Sequence, residues 1–196
     1  MSSRYLIAVF TVLLISACET YNPLRDYEPR TPATLQQLQT VSAGYPEEAV
    51  EKGKYLVQLL SCGTCHTDGA LVGNPDPKRQ FAGSRTGIAY SNPFENPNPG
   101  ILYPANITPD IQTGIGSWSD EALVTLLKSG VDKSGRRHLP VMPWPAYRKL
   151  TDDDARAIAA FLKSMPAVRH AVPNNVPTGT PAREPYIHFG VYQRRP

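Results

Sequence analysis

An all-α domain of three to four short helices, separated by long loops, is the architecture this chain predicts. Two observations point to it. Apolar side chains recur with helical period over three stretches of ten to fifteen residues. Between them the chain is dense in helix breakers: 20 prolines and 14 glycines in 196 residues, about 17% against an average near 12%. A third observation limits the core. Helices this short are marginal alone, and the apolar inventory they carry is thin, so something other than side chains must complete the interior.

The chain opens with a segment that is not part of that core. Met1 to Arg4 carry one positive charge, Tyr5 to Ile15 form an apolar run, and the small residues Ser16 and Ala17 precede Cys18. This is the pattern of a secretory signal over residues 1–17, and the run is shorter than the roughly 20 apolar residues a spanning helix needs. Leu14-Ile15-Ser16-Ala17-Cys18 resembles a bacterial lipobox, which makes Cys18 the lipidated first residue of the mature chain. Lipid at Cys18 would tether the protein to a membrane, facing the periplasm. Glu19 in place of Asp leans towards the outer rather than the inner membrane. Residues 18–46 then read as a polar, proline-containing tether.

The first core helix is expected over 47–61, with apolar positions at 49/50, 53, 56/57 and 60; Gly53 on that stripe allows close approach of another helix. Residues 67–118 have no helical stripe and read as a long structured loop. Ser119 caps a helix from Asp120 to Ser129, whose apolar face is Ala122, Leu123, Leu126 and Leu127, with Gly130 as its stop. A basic, proline-rich loop follows over 131–150. Thr151 opens the last helix, Asp152 to Ser164, which carries three aspartates in its first turn and stops before Pro166. Residues 169–196 form a proline-rich extension that wraps the surface or reaches a partner.

Directly after the first helix stands Cys62-Gly63-Thr64-Cys65-His66. Two cysteines three apart, followed at once by histidine, form the attachment pattern of c-type haem. Each thiol adds across a porphyrin vinyl group, and one turn of chain brings both sulfurs to one porphyrin edge with the imidazole under the iron. Other readings fit less well. A redox Cys-x-x-Cys lacks the βαβ context. A zinc site needs further ligands at short spacing, whereas His138, His170 and His188 stand singly. A disulfide leaves His66 unexplained. The cofactor implied is one covalent haem c, held by Cys62, Cys65 and His66.

The sixth ligand decides what the iron does, because filled axial positions suit electron transfer and an open one favours chemistry on small gases. Met165 continues the apolar stripe of the last helix and reads as core. Met142 lies between Pro140 and Pro143, where a stiff backbone holds a thioether in place at little entropic cost. It is the preferred ligand, with His138 as the rival.

Gly53-Lys54-Tyr55-Leu56, Asn106-Ile107-Thr108-Pro109-Asp110, Thr113-Gly114-Ile115-Gly116 with Trp118, Met142-Pro143-Trp144 and the closing helix together resemble a monohaem c-type cytochrome over residues 47–168. They are similar in particular to the cytochrome modules of membrane-bound alcohol and sugar-acid dehydrogenases. In multi-haem members of that group the module repeats; here it occurs once. The resemblance implies the cytochrome c fold, Gly53 packed against Phe161, Met142 as the distal ligand, and a loop Asn106–Trp118 lying along the haem with Trp118 or backbone amides towards a propionate.

Charge narrows the partner class. The net charge is +3, with 20 basic and 17 acidic residues, which is no footprint of a nucleic-acid binder. Residues 125–150 nevertheless hold Lys128, Lys133, Arg136, Arg137, Arg148 and Lys149 against Asp132 alone, a stretch that brackets Met142. Basic side chains there would steer an acidic redox partner. No constellation of acid, base and nucleophile is present, so the sequence predicts a membrane-anchored electron carrier, not an enzyme by itself. The alternatives are a haem-carrying subunit of a larger membrane oxidoreductase and a haem enzyme or gas sensor with a labile sixth ligand.

Overall fold

The computed structural model describes residues 38–41 and 43–190. The signal over 1–17, Cys18, most of the tether over 18–46 and the last six residues lie outside the described residues. Helix α1 spans Glu47–Leu59, with Pro46 before it and Glu47 and Glu48 at its positive end. It stops two residues short of the predicted end because Ser61 takes a left-handed conformation, φ 55°. That turn re-aims the chain into a five-residue helix, α2, Cys62–His66. Helix α3, Asp120–Ser129, has the predicted cap: Ser119 accepts the Ala122 N–H, and Gly130 closes the helix at φ 70°. A single turn, α4, covers Trp144–Tyr147. Helix α5 spans Asp152–Lys163, and Thr151 and Asp154 form a reciprocal capping box at its start.

Helices α1, α3 and α5 build the core. Val57, Leu123, Leu127, Ile158 and Phe161 are buried together, and Met165 joins them as the helical stripe predicts. The tightest contact is at Gly53. A β-carbon there would lie 1.9 Å from the Ala157 carbonyl oxygen and 2.7 Å from the Phe161 β-carbon. The close approach is thus to the α5 backbone as much as to Phe161. No helix among the described residues is long and apolar enough to cross a membrane.

The fold is mainly helical, as predicted, but it is not all-α. Within 67–118, β1 (Gly87–Ala89) pairs antiparallel with β2 (Ile101–Leu102), Ile88 opposite Leu102. The C-terminal extension supplies β3 (Tyr186–Ile187), parallel to β1 with Gly87 opposite Tyr186. Val176 and Ile101 exchange both backbone bonds, at 2.8 and 2.9 Å. Prolines that forbid a helix leave room for ladders of two or three residues, and burying Ala89, Ile101 and Tyr103 gives this sheet a small core of its own. Strands so short leave no period-two pattern in the sequence, and half of the pairing comes from a tail more than seventy residues downstream.

Candidate functional site

Helix α2 brings the predicted residues together. In a helical turn, positions i, i+3 and i+4 share a face, so Cys62, Cys65 and His66 project together. Both thiols are free and half-buried. Burial pushes the Cys62 thiol up to about 11, against the lowering pull of the Tyr147 hydroxyl. Burial likewise raises Cys65. Both are protonated thiols at neutral pH.

His66 is oriented by a loop far away in sequence. Its Nδ1 lies 2.7 Å from the Ala105 carbonyl oxygen. A carbonyl only accepts, so Nδ1 carries the proton and Nε2 keeps its lone pair. Burial lowers the imidazole's proton affinity, outweighing the Ala105 carbonyl, so the ring is neutral at pH 7. A neutral imidazole with Nε2 open is the form that binds a metal. Among the described residues no three His, Cys, Asp or Glu side chains converge as a closed metal site. The donor set instead fits a haem, which two thiols would hold covalently and one imidazole would ligate.

The Met142 loop is docked beside this turn. Trp144 and Tyr147 on α4 are buried. Trp144 packs over Gly130, where a β-carbon would meet its ring at 3.1 Å, and its indole N–H donates to the Leu139 oxygen at 3.4 Å. Tyr147 reaches Cys62, and burial followed by that contact pushes its hydroxyl well above the ordinary tyrosine value. Half-buried Met142 thus sits on a segment anchored to the cysteine turn. The rival, His138, is committed elsewhere: its Nε2 lies 3.1 Å from Asp132 Oδ2, and its N–H donates to the Gly130 oxygen at 2.8 Å. Asp132 is buried, and the Ser134 hydroxyl first of all, with backbone N–H groups and His138, holds it well below the usual carboxylate range.

Trp118 packs against the helical core. Lys133 Nζ stands 5.3 Å from its ring centroid, a cation–π contact. Of the basic stretch, Lys128 pairs with Asp152 and Arg136 with Asp132. Arg137, Arg148 and Lys149 are exposed and have no carboxylate partner among the described residues. Two contributors were missed from sequence, the Ala105 carbonyl and the Tyr147 hydroxyl, and Asn106 was singled out with its loop but without a role for its side chain. A backbone acceptor has no sequence signal. Asn106 and Asp110 did have one, since Asn or Asp two residues before an N–H that must be bonded is a turn signature.

A family model described as Cytochrome c matches residues 50–166. Among curated proteins, the chain is similar to the cytochrome c subunit of a quinone alcohol dehydrogenase from Gluconobacter oxydans, 37% identical over 115 residues, 59% of this chain and 21% of the relative. It is 35% identical over 112 residues to the cytochrome c subunit of a gluconate 2-dehydrogenase from Pantoea cypripedii, 57% of this chain and 22% of the relative. A fructose dehydrogenase cytochrome subunit from Gluconobacter japonicus is 30% identical over 132 residues, 67% of this chain and 24% of the relative. The chain therefore spans less than a quarter of each of these relatives.

Proposed function

The chain belongs to the cytochrome c family, and on that premise we propose that it passes single electrons between redox proteins through one haem held by Cys62 and Cys65. The observation that carries this reading is the donor set on α2: two free thiols and a neutral imidazole whose Nδ1–H is taken by Ala105, leaving Nε2 open. His66 and Met142 would be the residues that hold the haem iron. Support for Met142 over His138 is the anchoring of its loop through Tyr147 and the engagement of His138 with Asp132. These 196 residues hold one attachment motif, which supports one haem on this segment.

The haem supplies a reversible one-electron couple, and the chain supplies the rest. His66 and Met142 would hold the iron, and a thioether ligand would favour the ferrous state. Apolar packing around Cys62 keeps water away. Arg137, Arg148 and Lys149 give the α4 side a positive rim that attracts an acidic partner. No residue is required to move a proton, so the chain is a carrier and not an enzyme by itself. Cys18 carries lipid and holds the carrier at a periplasmic membrane surface, the outer membrane being favoured by Glu19.

A second reading, a haem-carrying subunit of a larger membrane oxidoreductase, is favoured by the relatives, which are named as subunits of dehydrogenases. Isolation of the full chain from membranes separates the two: stable co-purification with a large subunit establishes the subunit role, and a lone lipidated chain the free carrier. The common core is tested by producing the chain with a haem-attachment system and extracting it with acidified acetone. Haem retained by the wild type and lost from the Cys62→Ser, Cys65→Ser double variant supports the proposal. Haem extracted from both overturns it.

A further inference from the structure

Among the described residues the His66 imidazole has one hydrogen-bond partner, the Ala105 carbonyl, and that carbonyl belongs to the peptide plane whose nitrogen is Asn106. Because the peptide is planar, whatever fixes Asn106 fixes the direction of the acceptor. Asn106 is 3% exposed, and its side-chain bonding capacity is fully used. Its amide donates to Thr113 Oγ1 at 3.0 Å, to the Val168 oxygen at 2.8 Å and to the His170 oxygen at 3.4 Å. Its Oδ1 accepts from the Thr108 N–H at 2.9 Å and the Thr108 hydroxyl at 2.7 Å.

The partners are themselves tied down. Thr113 receives the His170 N–H at 3.1 Å and donates to Asp110 Oδ1 at 2.7 Å. The His170 ring Nδ1 lies 2.9 Å from the Ala82 oxygen, a donation into the chain segment below. Residues 168–170 are therefore a strap closed over the loop, and Asn106 is the rivet that holds the strap, the loop and the Ala105 carbonyl in one register.

We infer that Asn106 is a positioning residue for the axial histidine: by clamping the Ala105–Asn106 peptide to the 168–170 strap it sets the strength of the His66 Nδ1–H bond, and through it the basicity of Nε2. This rests on His66 being an axial ligand. A firm bond from the distal ring nitrogen makes the imidazole a stronger donor and favours the oxidised metal; a looser one raises the potential. The strap thereby belongs to the redox site, although it contributes no side chain to it.

The test uses the full haem-loaded chain with Asn106→Ala, Thr113→Val and Thr113→Ser, read by midpoint potential and by NMR exchange of the His66 ring N–H. Asn106→Ala should raise the potential and speed ring N–H exchange about tenfold, as local opening of one hydrogen bond does. Thr113→Val should shift both in the same direction by less, and Thr113→Ser, which keeps the hydroxyl, should restore wild-type values. A folded Asn106→Ala with wild-type potential and exchange overturns the inference. If Asn106→Ala does not fold, the threonine pair decides: Thr113→Val equal to Thr113→Ser overturns it. A wild type that retains no covalent haem defeats the electron-transfer reading instead, an outcome distinct from a loaded protein whose variants do not shift.

Discussion

Helices α1, α3 and α5 meet through apolar side chains and one missing side chain, whereas the loop around Asn106 and the strap over 168–170 meet through buried and half-buried polar groups. In the helical region Val57, Ile158 and Phe161 exclude water, and Gly53 lets two backbones touch. Beside the short ladders of the loop region, Asp68, Asn106, Thr108, Thr113 and His170 bond backbone groups that no ladder reaches. The difference follows from the kind of interaction. Apolar contact is non-directional and sets a frame; hydrogen bonds are directional and point one carbonyl at one imidazole. The helical frame presents Cys62, Cys65 and His66 on α2, directly after α1, and the loops aim His66.

The largest test of that contrast lies in the frame. Phe161→Ala empties a fully buried site and should cost about 4 kcal/mol, read as a lower denaturant midpoint. A cost below about 1 kcal/mol would mean that packing does not govern this region. Next in size, Gly53→Ala sets a β-carbon against backbone, which no rotamer relieves. It should cost about 3 kcal/mol, and an unchanged midpoint would show that α1 and α5 slide apart freely.

The loop region should respond to pH through Asp68. Asp68 accepts the Arg85 N–H at 2.9 Å and Arg79 Nη1 at 2.7 Å. Burial raises its proton affinity, but these bonds and the nearby His170 outweigh it, so its folded value lies below the ordinary carboxylate value. A group depressed in this way contributes its stability above the unfolded value and loses it as pH falls through the folded one. Asp68→Asn should therefore cost about 2 kcal/mol at neutral pH and flatten the acid limb of the stability curve, while Phe161→Ala shifts the whole curve evenly. An acid limb identical to wild type would remove Asp68 from the account. The smallest effect expected is on partner encounter. The electron-transfer rate to an acidic protein should fall as salt rises, and charge reversal at Arg148 and Lys149 should abolish that dependence; a flat or rising wild-type profile would remove the positive rim.

What the sequence disclosed divides along the same line. The ends of α3 and α5 were legible because Ser119, Gly130 and Thr151 act on their own neighbours. The cysteine turn was legible because Cys62, Cys65 and His66 fall within five consecutive positions. The sheet was not, since Gly87 pairs with Tyr186 across ninety-nine positions and no local pattern records it. Nor was the acceptor of His66, because Ala105 offers only a carbonyl that every residue possesses. The Asn106 side chain lay between these cases: its turn-forming role with Thr108 was readable, but its grip on Val168 and His170 depends on the fold.

The central claim is a haem whose iron is held between His66 and Met142, and the most direct measurement is the optical spectrum and midpoint potential of the loaded protein beside its Met142→Ala variant. The account predicts a sulfur-to-iron charge-transfer band in the ferric wild type and no carbon monoxide binding by the ferrous form. In the variant the band should be lost, the potential lower and carbon monoxide readily bound. An identical spectrum and potential in the two proteins would contradict it.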